Sequence, residues 1–289
     1  FSASSISFLP KSANEISATL YGKEVNNALL SVILLILLFK YPLNLMKSLQ
    51  RYEFYLKILY FCIIVFKDSR NSCRPIMMNI FVDIHTHGKS EFNPYSVRSL
   101  QIKEAALFFD AEERRFCSVG IHPWNAEQDN LQDLERFFRY SSDTRWVAIG
   151  ECGLDKNIST PFATQKSIFE GQISYSESLK KPLIIHCVGY FNELLEIRNK
   201  FRPEQLWIVH GFRGKPELAK QLLKTGISLS FGEKRNAASV AVTPIDRLYV
   251  ETDESLLPVE QFYREIAEIK NCRPENLNAG KKLLHLKNI

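Results

Sequence analysis

The run Asp83-Ile84-His85-Thr86-His87 places two imidazoles two residues apart. In an extended strand such residues share a face, so His85 and His87 can converge on one cation while Thr86 points away. Two histidines in a polar turn would read the same way, and H-x-H alone is a weak signal. The rest of the chain adds groups of the same kind. Glu151 follows the apolar run Ala148-Ile149-Gly150, and His186 ends Pro182-Leu183-Ile184-Ile185. His210 ends Leu206-Trp207-Ile208-Val209, and Asp253 closes Leu248-Tyr249-Val250-Glu251-Thr252. Nitrogen and oxygen donors without thiolates suit zinc, manganese or iron, with magnesium where carboxylate and water dominate. Six donors exceed what one open catalytic site uses. A carboxylate such as Glu151 can bridge two ions, which activates a water and clamps substrate oxygens. One or two divalent metal ions (Mg, Mn or Zn) are therefore expected.

These residues need elements that bring them to one place. Short apolar strands are expected at 80–85, 95–101, 116–121, 146–150, 183–186, 206–210, 227–231 and 248–251. Helical periodicity lies between most of them, at 128–140, 161–179, 191–200, 216–225 and 258–269. No full helix fits between the first two strands. Near-continuous apolar strands alternating with helices argue for a parallel sheet covered by helices, an α/β architecture. Eight such units favour a closed (β/α)8 TIM-type barrel over an open sheet. Residues 78–289 make it slightly reduced beside the typical length of about 250. In this fold catalytic groups collect at the C-terminal strand ends. A satisfied core histidine would explain any one of the candidates, but not four histidines and two carboxylates at one end.

Hydrophobic residues make up 45% and charged residues 24%, as in a chain with a real core. The net charge of +5 is not spread evenly. Residues 1–77 hold nine Lys and Arg against four Asp and Glu, so the remainder is formally neutral. A wholesale basic surface for nucleic acid is thus not indicated there. The six cysteines form no C-x-x-C pair, which excludes a sequence-evident zinc ribbon or redox dithiol. Their usage points to a reducing, cytoplasmic setting.

Residues 1–77 form an atypical apolar and basic segment. Its apolar runs, 28–39 and 54–66, are broken by Ser31 and Lys57 and fall short of a bilayer span. Three readings stand: upstream sequence translated from a misplaced start, a membrane-associating hairpin, or an ordinary helical domain. The first is preferred, because Met78 stands immediately before the first motif strand.

Taken in order, the H-x-H, G-x-H-P, G-E-x-G-L-D, apolar-x-H, H-G-F-x-G and E-T-D motifs resemble those of the TatD family of metal-dependent hydrolases. The resemblance covers residues 79–255 and includes the stretch Gln165 to Gln172 ahead of the fifth strand. It implies that His85, His87, Glu151, His186, His210 and Asp253 are metal ligands, with Asp253 also accepting a proton from the attacking water. It further implies phosphodiester hydrolysis, as a deoxyribonuclease of the exonuclease kind. The expected partner is DNA, single-stranded or at ends, or a small phosphoester, and no protein partner is expected.

His122, in Gly120-Ile121-His122-Pro123-Trp124, is a candidate substrate contact, set against a structural loop histidine. His285 reads as surface. One departure bears on substrate: many members carry arginine two residues after the fifth-strand histidine, where this chain has Val188. The loop Gly211-Phe212-Arg213-Gly214-Lys215 offers Arg213 and Lys215 as substitute cations, with a solvated loop as the equal alternative. Lys234 and Arg235 are further candidates for contact with a phosphate backbone. Two other functions stay open: a small-molecule phosphoesterase or amidohydrolase-like enzyme, and a membrane-attached, non-catalytic barrel protein.

Overall fold

The computed structural model describes residues 80–88, 93–111 and 115–284. Segment 1–77 and His285 lie outside the described residues.

Eight strands are present among the described residues: β1 (Asp83–Thr86), β2 (Ser96–Leu100), β3 (Phe116–Val119), β4 (Trp146–Asp155), β5 (Leu183–Val188), β6 (Trp207–Val209), β7 (Ile227–Phe231) and β8 (Leu248–Val250). They pair in parallel in chain order from β1 to β8. The circle is completed just beyond β8. Asp253 N–H donates to the His85 carbonyl at 2.9 Å, and His87 N–H donates to the Asp253 carbonyl at 3.0 Å. This is the expected (β/α)8 barrel, a fold that gathers strand ends into one mouth.

Alternation of side chains across the strands builds two apolar layers. Val82, Ile84, Val97, Ala148, Ile184, Ile208 and Tyr249 fill the interior. A short C-terminal helix, Ala279–Leu283, lies against them, with Gly280 close to Val82 and Ile84. The larger layer lies between sheet and helices and includes Phe169, Trp207, Phe231 and Phe262. Helix Val259–Ile269 shows why it docks there: its buried Val259, Phe262, Tyr263, Ile266 and Ala267 recur at helical spacing along one stripe.

Four of the expected helices are close to their observed bounds, at Phe162–Leu179, Phe191–Phe201, Pro216–Lys224 and Val259–Ile269. The region 128–140 differs. Only Leu131–Glu135 is α-helical, followed by a tighter turn at Phe138–Tyr140. Tyr140 stacks on Phe109 with centroids 4.4 Å apart, and Phe137 approaches the same ring at 6.0 Å. Tightening brings residues three apart onto one side, so both rings reach Phe109. Helices Ile102–Asp110 and Ala237–Val242 were not expected from periodicity. Both are short, and their Phe-Phe and Ala/Val runs fit strand and helix equally well.

Helix Phe162–Leu179 buries two glutamines, and both hold backbone near the barrel mouth. Gln172 accepts from Ile121 N–H at 2.8 Å and donates to the Ile121 carbonyl at 3.0 Å. Gln165 accepts from Asp155 N–H at 2.8 Å and donates to the Asp155 carbonyl at 2.9 Å. A buried amide that satisfies both groups of one residue fixes that stretch of chain. Ile121 precedes His122, and Asp155 ends β4, so the helix positions two parts of the site.

Candidate metal centre

Glu151 is the centre of the cluster. It does not follow the end of β4, as the sequence suggested, but lies within it, because the strand continues to Asp155. The β4–β5 register shifts between Ile149 and Cys152, setting three residues of β4 against two of β5. A bulge of this kind re-aims a side chain next to a site. The chain is tight here: a Cβ on Gly153, whose φ is +135°, would lie 2.1 Å from the His186 carbonyl oxygen. Only glycine lets β4 lie this close to β5 at that backbone angle.

Five imidazoles surround the Glu151 carboxylate. Oε2 lies 3.1 Å from His87 Nε2 and 3.4 Å from His85 Nε2. Oε1 lies 2.7 Å from His210 Nε2, 2.9 Å from His186 Nδ1 and 3.2 Å from His122 Nε2. Asp253 Oδ1 stands 3.8 Å from both His85 Nε2 and His87 Nε2. The two oxygens thus face two halves of the cluster, the arrangement a bridging carboxylate needs. Every sequence-expected ligand is brought into it, and His122 joins them. The sixth histidine, His285, lies outside the described residues.

The electrostatics are those of a nest of donors around one buried anion. Burial alone would raise the Glu151 carboxyl, but the His210 charge and hydrogen bonds from His122, His186 and His210 hold it well below the usual carboxylate range. His210 is raised well above its ordinary value, because Glu151 outweighs the cost of burial. Burial lowers His85, next to the charge of His210. Both ring nitrogens of His85 and Nδ1 of His210 are buried without a hydrogen-bond partner. Unpartnered buried polar atoms are costly, and a cation bound by nitrogen lone pairs removes the cost. Three overlapping groups have donor atoms mutually within 4.8 Å: His85, His87 and Glu151; His85, His210 and Asp253; His122, Glu151 and His186. The donor set fits one or two divalent ions.

A second layer, not singled out from the sequence, holds these groups. Asp83 is buried, accepts from Thr252 N–H at 2.9 Å and from Thr252 Oγ1 at 2.6 Å, and so anchors the residue before Asp253. Burial pushes its carboxyl up to about 7 against those hydrogen bonds. Glu251 is fully buried, accepts from Gly211 N–H, and lies 3.6 Å from His210 Nδ1. Asp155 Oδ2 lies 3.1 Å from His186 Nε2 and accepts from Trp124 Nε1 at 2.9 Å. Carboxylates that orient imidazoles in this way set ring tautomer and pose. The signal was present as spacing: Asp83 is two residues from His85, Glu251 two from Asp253, and Asp155 four from Glu151.

The cluster opens into a cavity of about 830 Å³ lined by residues that include His87, His122, Trp124, Val188, Phe191 and Arg213. Arg213 is exposed and also borders a smaller cavity of about 210 Å³ with Lys234 and Arg235. Arg235 donates to Glu265 and to the Gly232 carbonyl, so its charge is already engaged. Lys215 is exposed and lines neither cavity. Among the described residues no helix is long and apolar enough to cross a membrane.

Comparison with known proteins places this arrangement in a family. The family model described as TatD related DNase matches residues 91–280. An uncharacterized metal-dependent hydrolase, YabD of Bacillus subtilis, is 31% identical over 51% of this chain and 61% of its own length. The 3'-5' ssDNA/RNA exonuclease TatD of Cronobacter sakazakii is 30% identical over 54% of this chain and 63% of its own length. The chain thus spans less than two thirds of the length of these two relatives. The crystal structure of YJJV, a TatD homolog from Escherichia coli, superposes with a TM-score of 0.62 over 72% of this chain and 98% of that one, at 18% identity, a likeness of fold. With a family match across most of the barrel, and with the six motifs converging on one mouth, the chain belongs to the TatD related DNase family of metal-dependent hydrolases.

Proposed function

We propose that this protein is a metal-dependent nuclease that hydrolyses phosphodiester bonds of single-stranded nucleic acid, DNA first among them, in a cytoplasmic setting. The observation that carries the reading is Glu151, whose two oxygens face separate groups of histidines while Asp253 stands across from them. His85, His87, Glu151, His186, His210 and Asp253 would hold the ions. One or two divalent ions held there would supply Lewis-acid polarisation of a phosphate and activation of a water.

The chain's own residues do the rest. Asp253 faces the cavity with a partly exposed carboxylate and takes the proton from the attacking water. His122 accepts from Trp124 N–H at Nδ1, 3.2 Å away, which puts its own proton on Nε2, the nitrogen aimed at the cluster. Burial lowers the His122 pKa, which favours this neutral, donating form near neutral pH. His122 then hydrogen-bonds a substrate oxygen. The thiols of Cys152, Cys187 and Cys272 support the reducing setting.

Turnover of the full chain on a single-stranded oligonucleotide, a simple phosphodiester and a lactone or amide, with Mg²⁺, Mn²⁺ and Zn²⁺ in turn, tests the reading. Metal-dependent cleavage of the oligonucleotide above the small substrates is expected. Selective turnover of the lactone or amide would replace the nuclease reading with a small-molecule hydrolase.

Arg213 is assigned to the phosphate backbone, since it reaches both cavities. Arg213→Ala is expected to raise KM for the oligonucleotide, or lower turnover, by the equivalent of about 1.5–3 kcal/mol. Unchanged kinetics would leave the loop as solvated surface. The catalytic unit is assigned to residues 78–289. A chain starting at Met78 is expected to be soluble, to unfold cooperatively and to keep full activity. Aggregation of that chain, relieved by restoring residues 1–77, would show that the segment completes the core.

A further inference from the structure

The chain has three tryptophans. Trp146 and Trp207 are buried at 1% and 0% exposure, whereas Trp124 is 61% exposed at the border of the cavity that holds the metal-ligand cluster. A scattered surface leucine such as Leu107 needs no explanation, but Trp124 is held in place on several sides. Its indole N–H donates to Asp155 Oδ2 at 2.9 Å, and Asp155 is itself 4% exposed and lies 3.1 Å from His186 Nε2. Its backbone N–H donates to His122 Nδ1 at 3.2 Å, within a tight turn that begins at Pro123. The His122 ring stands edge-to-face with the indole, 5.1 Å away at 89°.

The consequence is a large flat ring, fixed in one pose, with its polar atom already satisfied and most of its surface in water. Fixing the ring in advance lowers the ordering cost of any ligand that packs on it. The same cavity is walled by Leu100, Ile158, Val188 and Phe191. Val188 makes this wall apolar at the position where a phosphate-binding cation was expected, so recognition along it favours a flat apolar face over charge. Stacking on an aromatic suits nucleobases whatever their sequence, because each offers a π-face.

We propose that Trp124 is a stacking platform that receives a nucleobase next to the scissile phosphate of a single-stranded nucleic acid. This rests on the nuclease reading given above. Trp124 sets how tightly the strand is held, and Asp155 is the positioning residue that keeps the indole in its pose.

The test uses the full chain with Mg²⁺ and two labelled probes: a phosphorothioate oligothymidylate, chosen to resist cleavage, and a phosphorothioate of equal length with abasic sugars. Fluorescence anisotropy is expected to show Trp124→Ala binding the oligothymidylate about 5- to 150-fold more weakly than wild type, the range for loss of one stacked base. Trp124→Phe, which keeps a ring but not the indole N–H, should fall between them. The abasic probe should bind wild type and Trp124→Ala equally. Intrinsic fluorescence of the wild type should be quenched by the oligothymidylate, and that of Trp124→Ala much less, since the other two tryptophans are buried. Wild-type affinity of Trp124→Ala for the oligothymidylate would overturn the platform and leave the nuclease reading standing. Equal weakening on both probes would overturn it too, making Trp124 only a cover over Asp155. If the wild type neither binds the oligothymidylate nor cuts its phosphodiester counterpart, the nuclease reading itself fails, and the platform with it.

Discussion

Asp253→Asn is expected to keep the fold and much of the bound metal while nuclease turnover falls by about 10²–10⁴-fold or more, the contribution of a lost general base. The backbone of residue 253, not its carboxylate, ties it to β1, through the His85 carbonyl and the His87 N–H. Its φ of +56° is one that asparagine adopts as readily as aspartate. Asparagine also keeps a carbonyl oxygen facing His85 and His87. What disappears is the negative charge and nearly all basicity. Circular dichroism, metal analysis and turnover on one preparation separate these effects. A near wild-type rate at saturating metal would remove Asp253 from the proton-transfer role.

How much of this was legible before the structure depends on what each residue relies on. His186 and His210 follow apolar runs that are buried strands, although only His210 stands at a strand end, since β5 continues past His186 to Val188. His85 in β1 and His87 just beyond it are placed by the period of the extended chain. Glu151 was legible as a member of the cluster but not as a residue inside β4, because the bulge that turns it inward is set by pairing with β5. The carboxylates of Asp83, Asp155 and Glu251 stand at suggestive spacings from the ligand candidates, but they act through neighbours from other strands or loops, so spacing alone does not reveal which groups they hold. Glu251 waits on Gly211 and His210, forty-odd residues away in sequence. Nothing in the loop motif around His122 marked Trp124. Its exposure and its bond to Asp155 are properties of the assembled mouth. Short helices such as Ala237–Val242 were not legible, because six residues, five of them apolar, do not distinguish a helical period from a strand.

The second large effect concerns the metal itself. His85→Ala combined with His87→Ala removes both imidazoles that face Glu151 Oε2. His85 is fully buried, its ring 4.1 Å from that of His210, and neither of its nitrogens has another partner. Among the described residues no other imidazole faces that oxygen, so the site should lose occupancy, unlike Asp253→Asn, which should lose mainly rate. Some loss of stability is expected as well, because a buried ring leaves a cavity. Thermal unfolding of the variant establishes that the comparison is made on folded protein.

The most direct measurement is therefore metal content per chain and oligonucleotide turnover, taken together on wild type and on the His85→Ala, His87→Ala protein. Wild type should hold one or two ions and cleave single-stranded DNA, while the folded double variant holds fewer ions and loses activity along with them. A folded double variant that retains both its metal and its rate would contradict the metal centre assigned to this barrel.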